Sequence, residues 1–378
     1  MSRKQEGNFI TRDHRYIYPT GSLLALLTLA LLRGGPNPYS FLKDNVPETL
    51  CAAACWVFLA LSAAALLVKA ARRDEYSRSF LKRPFMLRCG RYASYAAALA
   101  FVCAAADRLL LQLVHTVRLC ARMEVNPQAF GPSMIYMTVK GWDILMTGIW
   151  TTVRLALFGT AIAFVLSVFM TFLRIQTPDR RDSDLVKFLK WIASRFARFY
   201  IFIIRGSPMM VQALIFYYFG FSLFKRTGLS VTEINNIWSF FISGLFTVSL
   251  NSTAYLAEVL RGGIQAVDPG QMEAARSLGM TNWQAMVRVV FPQAVKNSIP
   301  AIGNEFIINI KDSSVLSVIG VMDLMYATKS VSGIYYRSLE IYCVAAILYL
   351  ILTYLSSLLL AWLGRKLDVP VRGIPSSN

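Results

Sequence analysis

Histidine is nearly missing from this sequence: His14 and His115 are the only two in 378 residues. A histidine-based active site or metal centre has little to be built from. Six cysteines are scattered without metal-ligand spacing. Cys51 and Cys55 share a helix face, where small apolar packing suits them. The phosphate-cradling pattern G-x-x-x-x-G-K-[ST] is absent, as is any Gly-Lys dipeptide, so no nucleotide is held through a P-loop. No basic stripe with interleaved aromatics points to nucleic acid. No nucleophile and base cluster at a span edge, which leaves a membrane-embedded enzyme little chemistry. No internal repeat is visible. No soluble stretch is long enough for a nucleotide-binding or extracytoplasmic ligand-binding domain.

Apolar sequence dominates instead. Hydrophobic residues make up 56% of the chain and mean hydropathy is +0.48, which points to a membrane protein. A bilayer core takes about 20 apolar residues per helix. Stretches near 17–33, 48–70, 93–115, 146–173, 199–223, 236–258, 299–320 and 338–363 meet or approach that length. The first is weakest, with a short run from Leu23 to Leu32 after a basic leader (Arg3, Lys4, Arg12, Arg15). It resembles a signal peptide, but Arg33-Gly34-Gly35-Pro36 makes a poor cleavage site. The expectation is an uncleaved anchor.

The net charge is +18. Sorted against these spans, 25 of the 39 Lys and Arg residues fall on one side and nine on the other. The positive-inside rule then puts both termini in the cytoplasm. The expected organisation is a three-span unit over 1–115 and an extracytoplasmic connecting loop over 116–145, marked by Asn126-Pro127 and Gly131-Pro132. A five-span core over 146–365 and a cytoplasmic tail over 366–378 follow. A polar insert at 261–296 interrupts the core.

That insert contains VDPGQMEAARSLGMTNWQAMVRVVFPQA, residues 267–294. Asp268 can cap a helix, with Pro269 in the first turn and Gln271 at capping-box spacing. The helix is expected over 271–278, ended by Gly279. Thr281 and Gln284 offer a second capping box. A second helix runs from Asn282 toward Val290, and Pro292 closes or kinks it. Alone, this is a surface helical hairpin. Ala274 and Ala275 would let a groove wall approach, Glu273 adds a charged contact, and Trp283 and Met286 add apolar area for a partner.

Glu273-Ala274-Ala275, three residues, Gly279, nine residues, then Val289-x-Phe291-Pro292 resembles the EAA loop of type I ABC importer permeases. Val289 and Phe291 stand where that family usually has Ile and Leu. The segments 148–175, 205–220, 254–280 and 291–320 look like the polar amino-acid subfamily, and the resemblance covers about 145–365. It implies an all-α polytopic membrane protein whose loop seats in a cleft of an ABC-type ATPase. Gln271, Glu273, Ala274, Ala275, Arg276, Gly279, Trp283 and Pro292 are the expected coupling residues. The three N-terminal spans lie outside the resemblance.

Other residues carry two readings each. Arg205-Gly206-Ser207-Pro208 is either a helix start with a snorkelling arginine or a hinge. Ser207 would cap and Pro208 would start the next helix. Lys311-Asp312 resembles the family's Lys-Asp-Thr-Ser-Leu segment, with Ser313, Ser314 and Val315 following here. It is either interhelical glue or a gate. Asn304, Glu305 and Asn309 suggest a polar face on the same span. Arg154 either snorkels outward or meets a substrate carboxylate. Glu258 fits local pairing better than substrate binding. The Gly262-Gly263 pair is expected to hand its helix over flexibly to the loop.

The resemblance implies the permease subunit of an importer for polar amino acids, in the cytoplasmic (inner) membrane of a prokaryote. It implies a second permease copy or homologue, two ATPase subunits and an extracytoplasmic amino-acid-binding protein as partners. This chain would bind no cofactor and no metal; ATP and Mg would sit on the ATPase. A permease for another solute, such as a peptide or an osmolyte, is the near alternative. A secondary transporter or channel is the more distant one.

Overall fold

The computed structural model describes residues 18–33, 40, 42, 45–71, 84–178 and 182–366. The basic leader, the Gly34–Pro36 boundary, most of the basic segment 72–91 and the tail after Lys366 lie outside the described residues. Among those described, all regular structure is helical.

The chain divides into two units, Met1–Val125 and Asn126–Asn378. In the first unit α1 spans Tyr18–Leu32, α2 Asn45–Ala71 and α3 Pro84–Ala105. A π-helical turn at Ala106–Leu111 joins α3 to α4, Gln112–Arg122. At about 1.5 Å per residue, the 15 residues of α1 fall short of a bilayer. Small residues let these helices meet: a Cβ on Gly21 would lie 2.6 Å from Phe58. Asp107 and Arg108 are buried at the π turn, and Arg108 pairs with Glu48 at 3.0 Å. The stretch 116–145, expected as a loop, is mostly helix. Helix α4 carries on to Arg122, and α5 fills Phe130–Lys140. The proline and glycine clusters break the chain only over 123–129.

In the second unit α6 spans Trp142–Ile175, α7 Asp184–Gly206, α8 Met209–Lys225, α9 Val231–Ile237 and α10 Phe240–Gln265. Helix α11 covers Pro269–Ser277 and α12 Asn282–Ala285. A π turn at Met286–Val290 leads into α13, Phe291–Asp312, and a 3-10 turn spans Ser313–Ile319. Helix α14, Leu324–Tyr335, and α15, Ser338–Lys366, complete it. Helices α6, α10 and α15 are long and apolar enough to span a membrane. Helices α6 and α10 pack along each other, and a Cβ on Gly159 would sit 2.5 Å from Val248. Such close backbone approach is how membrane helices gain contact without a hydrophobic driving force.

Two expected spans differ. The one at 199–223 is two helices, α7 and α8, bent by 112°. The one at 299–320 starts earlier, at Phe291, and stops being α-helical at Asp312. Polar Lys311-Asp312 and the serines after it give way there to the tighter 3-10 turn, closed by Gly320 at φ +94°.

Between α8 and α10, Ser230 and Glu233 form a complete capping box on α9. The Ser230 hydroxyl, then its backbone N–H, donate to Glu233 and hold that carboxyl below its usual 4.5. A lowered folded pKa supplies stability that is complete above the unfolded value and fades as pH falls through the folded one. Hydrogen exchange of α9, corrected for intrinsic pH dependence, should therefore accelerate on acidification below about 4.5. Glu233→Gln should remove that dependence; an unchanged profile in the variant would show that the capping box is not its source.

Candidate functional site

After α10, two short helices pack around the tight turn at Gly279. Asp268 caps α11, but its carboxylate accepts from the Gly270 N–H (2.8 Å) and forms no capping box with Gln271. Gln271 instead accepts from the Gln293 side chain at 3.3 Å, tying α11 to the start of α13. The helix runs Pro269–Ser277, slightly ahead of the expected 271–278. It ends in a complete Schellman motif. Gly279 N–H bonds to Arg276 and Met280 N–H to Ala275, with Gly279 at φ +86°. The Thr281–Gln284 capping box then forms with both bonds, at 3.2 and 3.0 Å.

From there the expectations need correction. Pro292 does not end the helical run. The π turn shifts the ladder, so Phe291 N–H reaches Met286, and Pro292 sits in the first turn of α13 without a donor to lose. Ala275 is buried while Ala274 is exposed, so the small-residue pair does not face one wall. Met286 packs inward with Val267, Val290 and Ala294. Trp283 is exposed, with its ring 5.3 Å from Phe172 of α6. Glu273 and Arg276 are exposed. Leu278, 82% exposed, is the apolar group that sequence reasoning missed. It lies four residues after Ala274, on the same helix face, and that spacing was the available signal.

The Gly262-Gly263 pair is also corrected. Both residues lie inside α10, which continues to Gln265. Gly262 has open space around it, whereas a Cβ on Gly263 would lie 2.3 Å from the Ser298 hydroxyl and 2.7 Å from the Ala294 carbonyl. Gly263 is a close-packing point between α10 and α13, not a hinge.

One turn earlier, Glu258 gathers three guanidinium groups. Arg174 from the end of α6 and Arg205 from α7 (3.7 Å) meet Oε1; Arg261 (2.8 Å) meets Oε2. Arg205 also lies 5.1 Å over the Tyr255 ring. Three helix ends are thus tied to one carboxylate beside the α11 segment. Arg174 was not singled out from sequence, because nothing local announces its partner.

Beyond Arg205 the chain breaks. Ser207 does not cap α8; its hydroxyl donates back to Ile203, and Pro208 takes the cap position without a side-chain bond. Gln212 does the joining. Its amide donates to the Ile204 carbonyl (2.7 Å) and to Ser207, and its oxygen accepts from Asn251 at 2.9 Å. This buried amide satisfies the carbonyls that the break at Ser207-Pro208 leaves open. Farther along, Asn309 links α6, α10 and α13: it donates to Thr160 (2.8 Å) and accepts from Ser252 (2.9 Å). Glu305 is buried one turn from it.

Arg154 is exposed, 5.6 Å over the Phe241 ring, with a long contact to Thr151. Lys311 is exposed and Asp312 half-buried at the end of α13. Asn304 is exposed and lines a groove of about 640 Å³ with Thr160, Phe164 and Gly303, between α6, α13 and α15. The structure thus does not gather Arg154, Arg205, Asn304 and Lys311-Asp312 into one site. No group of three or more metal-ligating side chains occurs among the described residues.

A family model described as a binding-protein-dependent transport system inner membrane component matches residues 185–369. The match contains α11, the Schellman turn and, of the Glu258 cluster, Glu258, Arg205 and Arg261; Arg174 lies before it. A nopaline transport system permease protein, NocM of Agrobacterium fabrum, is 32% identical over 63% of this chain and 95% of its own length. The chain belongs to this permease family. A probable glutamine ABC transporter permease protein, GlnM of Bacillus subtilis, is 33% identical to the permease over 60% of the chain and 94% of the relative. The crystal structure of an amino acid ABC transporter with histidines contains a chain 37% identical to it. That match has a TM-score of 0.50 and covers 61% of this chain and 96% of the other. The permease is therefore a membrane-spanning transport subunit of the inner membrane.

Proposed function

We propose that the permease carries polar amino acids or closely related amino-acid conjugates, driven by ATP hydrolysed on a separate chain that docks on α11. The substrate class rests on relatives matched over nearly their whole length, named for nopaline and glutamine transport. Docking rests on one observation. Glu273, Ala274 and Arg276 stand exposed on a short helix, with Leu278 exposed at its C-cap, where the Schellman turn locks the far end. A short helix with apolar and charged anchors fits a groove on a partner.

In this reading the α11 end faces the cytoplasm, as do both termini, following the excess of basic residues on that side. A second permease copy or homologue and an extracytoplasmic amino-acid-binding protein complete the system. This chain binds no cofactor; the ATPase holds ATP and Mg. Displacement of α11 by its partner is carried into α10 through the Gly263 contact and into α6 and α7 through Glu258. Transport is then a shift between two arrangements of the same helices.

Gentle purification from native membranes tests the partner. An ATP-binding subunit should co-purify with the wild type and be lost from Glu273→Lys, while membrane insertion stays normal. Equal recovery with both chains would remove α11 as the docking element. Uptake in proteoliposomes with the recovered subunits tests the substrate class independently: transport of a sugar but of no amino acid would overturn it.

A further inference from the structure

Helix α7 turns Ser194, Ala197, Ile201 and Ile204 inward and leaves an aromatic face outward. The Ser194 hydroxyl donates to the Arg174 carbonyl (3.1 Å), one residue from the end of α6. This turn of α7 is therefore level with the point where α6 leaves the apolar layer. On the outward side at that level stand Arg195 and Arg198, three residues apart and so neighbours on the helix surface. They border an open, mostly apolar face of α7 formed by Trp191, Phe196, Phe199 and Phe202. Arg195 lies 5.6 Å over the Trp191 ring, and Arg198 donates to Ser194 at 3.0 Å.

The earlier cations of the same helix behave differently. Lys187 pairs with Asp184 (3.3 Å) and Lys190 with Asp182 (2.7 Å). Among the described residues no ion pair involves Arg195 or Arg198. Two guanidinium forks match a phosphate, which each can grip with paired donors. A tryptophan beside them suits the headgroup level of a bilayer. Phe199 and Phe202, 63% and 76% exposed, extend this face one to two turns further along α7. An occupant must be anionic at one end and aliphatic at the other.

We propose that this face of α7 holds a phospholipid of net negative charge, its phosphate between Arg195 and Arg198 and an acyl chain along Phe199 and Phe202. The inference holds whichever side of the membrane that edge faces, and it does not rest on the partner proposed for α11. Because α7 runs directly into Arg205 and the 112° bend, a lipid seated there braces the helix that the Glu258 cluster pulls on.

The test uses the full chain with its co-purifying subunits, in nanodiscs of phosphatidylcholine containing a minor fraction of phosphatidylglycerol. Native mass spectrometry reads the lipid retained. Phosphatidylglycerol should be retained in preference to phosphatidylcholine. Arg195→Gln with Arg198→Gln should lower that retention about tenfold, whereas Lys187→Gln with Lys190→Gln should leave it unchanged. A second readout needs no arginine variant. The Trp191 fluorescence, taken as wild type minus Trp191→Phe, should be quenched more by brominated phosphatidylglycerol than by brominated phosphatidylcholine. Equal retention and equal quenching by the two lipids would overturn the proposal. So would displacement of the lipid by soluble glycerol phosphate, or loss of a protein rather than a lipid from the double arginine variant.

Discussion

Gly263→Leu should disable the permease, while Gly262→Ala one residue away should leave it working and slightly more stable. The contrast comes from space. At Gly263 a Cβ meets the Ser298 hydroxyl at 2.3 Å and the backbone carbonyl of Ala294 at 2.7 Å. The hydroxyl can rotate away; the carbonyl belongs to α13 and cannot yield without moving that helix. Overpacking of this kind costs about 1–3 kcal/mol, and a leucine adds more atoms behind the first clash. The damage is also directional, because α13 continues from the α11 segment and would be pushed off α10. At Gly262 nothing lies within 4 Å. Alanine there gains about 1 kcal/mol of helix propensity over glycine. Thermal unfolding of both purified variants, with uptake measured in parallel, checks the pair. Similar melting points for Gly263→Leu and the wild type would show that the close approach of α10 and α13 is not real.

Glu258→Gln carries the second large effect. The carboxylate is one-fifth exposed and serves three guanidiniums from three helices. Neutralising it leaves Arg174, Arg205 and Arg261 facing one another. Removing one partner of a fully buried ion pair costs about 3–5 kcal/mol. Partial exposure screens this cluster, so about 1–3 kcal/mol is the appropriate range. The loss falls on the contacts that hold α6, α7 and α10 together next to α11, so uptake should drop about tenfold or more. Arg261→Met removes only one of the three cations and should cost less. Uptake within twofold of wild type in Glu258→Gln would show that the cluster does not hold these helices in their working arrangement.

Local chemistry was readable in the sequence, and tertiary chemistry was not. The Gly279 turn and the Thr281–Gln284 box were legible because their partners lie within a few residues. The long apolar helices were legible because lipid imposes their length. Gln271, Ser207 and Gly263 were each assigned a local role, and each is spent on a residue distant in sequence or on the preceding helix: Gln293, Ile203 and Ala294 respectively. Met286 was assigned to a partner and instead packs within the chain on Val267. Glu258 was expected to pair locally, with no partner named; it pairs with Arg261 one turn on, and its bonds to Arg174 and Arg205 become visible only once three helices converge. Gln212 gave no sign of its importance, because a lone glutamine in an apolar run announces neither the helix break it seals nor Asn251. The bend itself was half legible: Ser207-Pro208 marked the place, while its 112° angle needed the packing of α7 against α6 and α10.

Photo-cross-linking from α11 in intact membranes is the most direct measurement. A benzophenone side chain at exposed position 274 or 278 reports what touches that helix, and one at Trp150, exposed on α6, serves as the lipid-facing control. The expected result is capture of an ATP-binding subunit from 274 and 278 and from neither lipid-facing nor wild-type controls. Retained ATP-dependent uptake with no such capture from either position would contradict the assignment of α11 as the element through which ATP hydrolysis reaches the membrane helices.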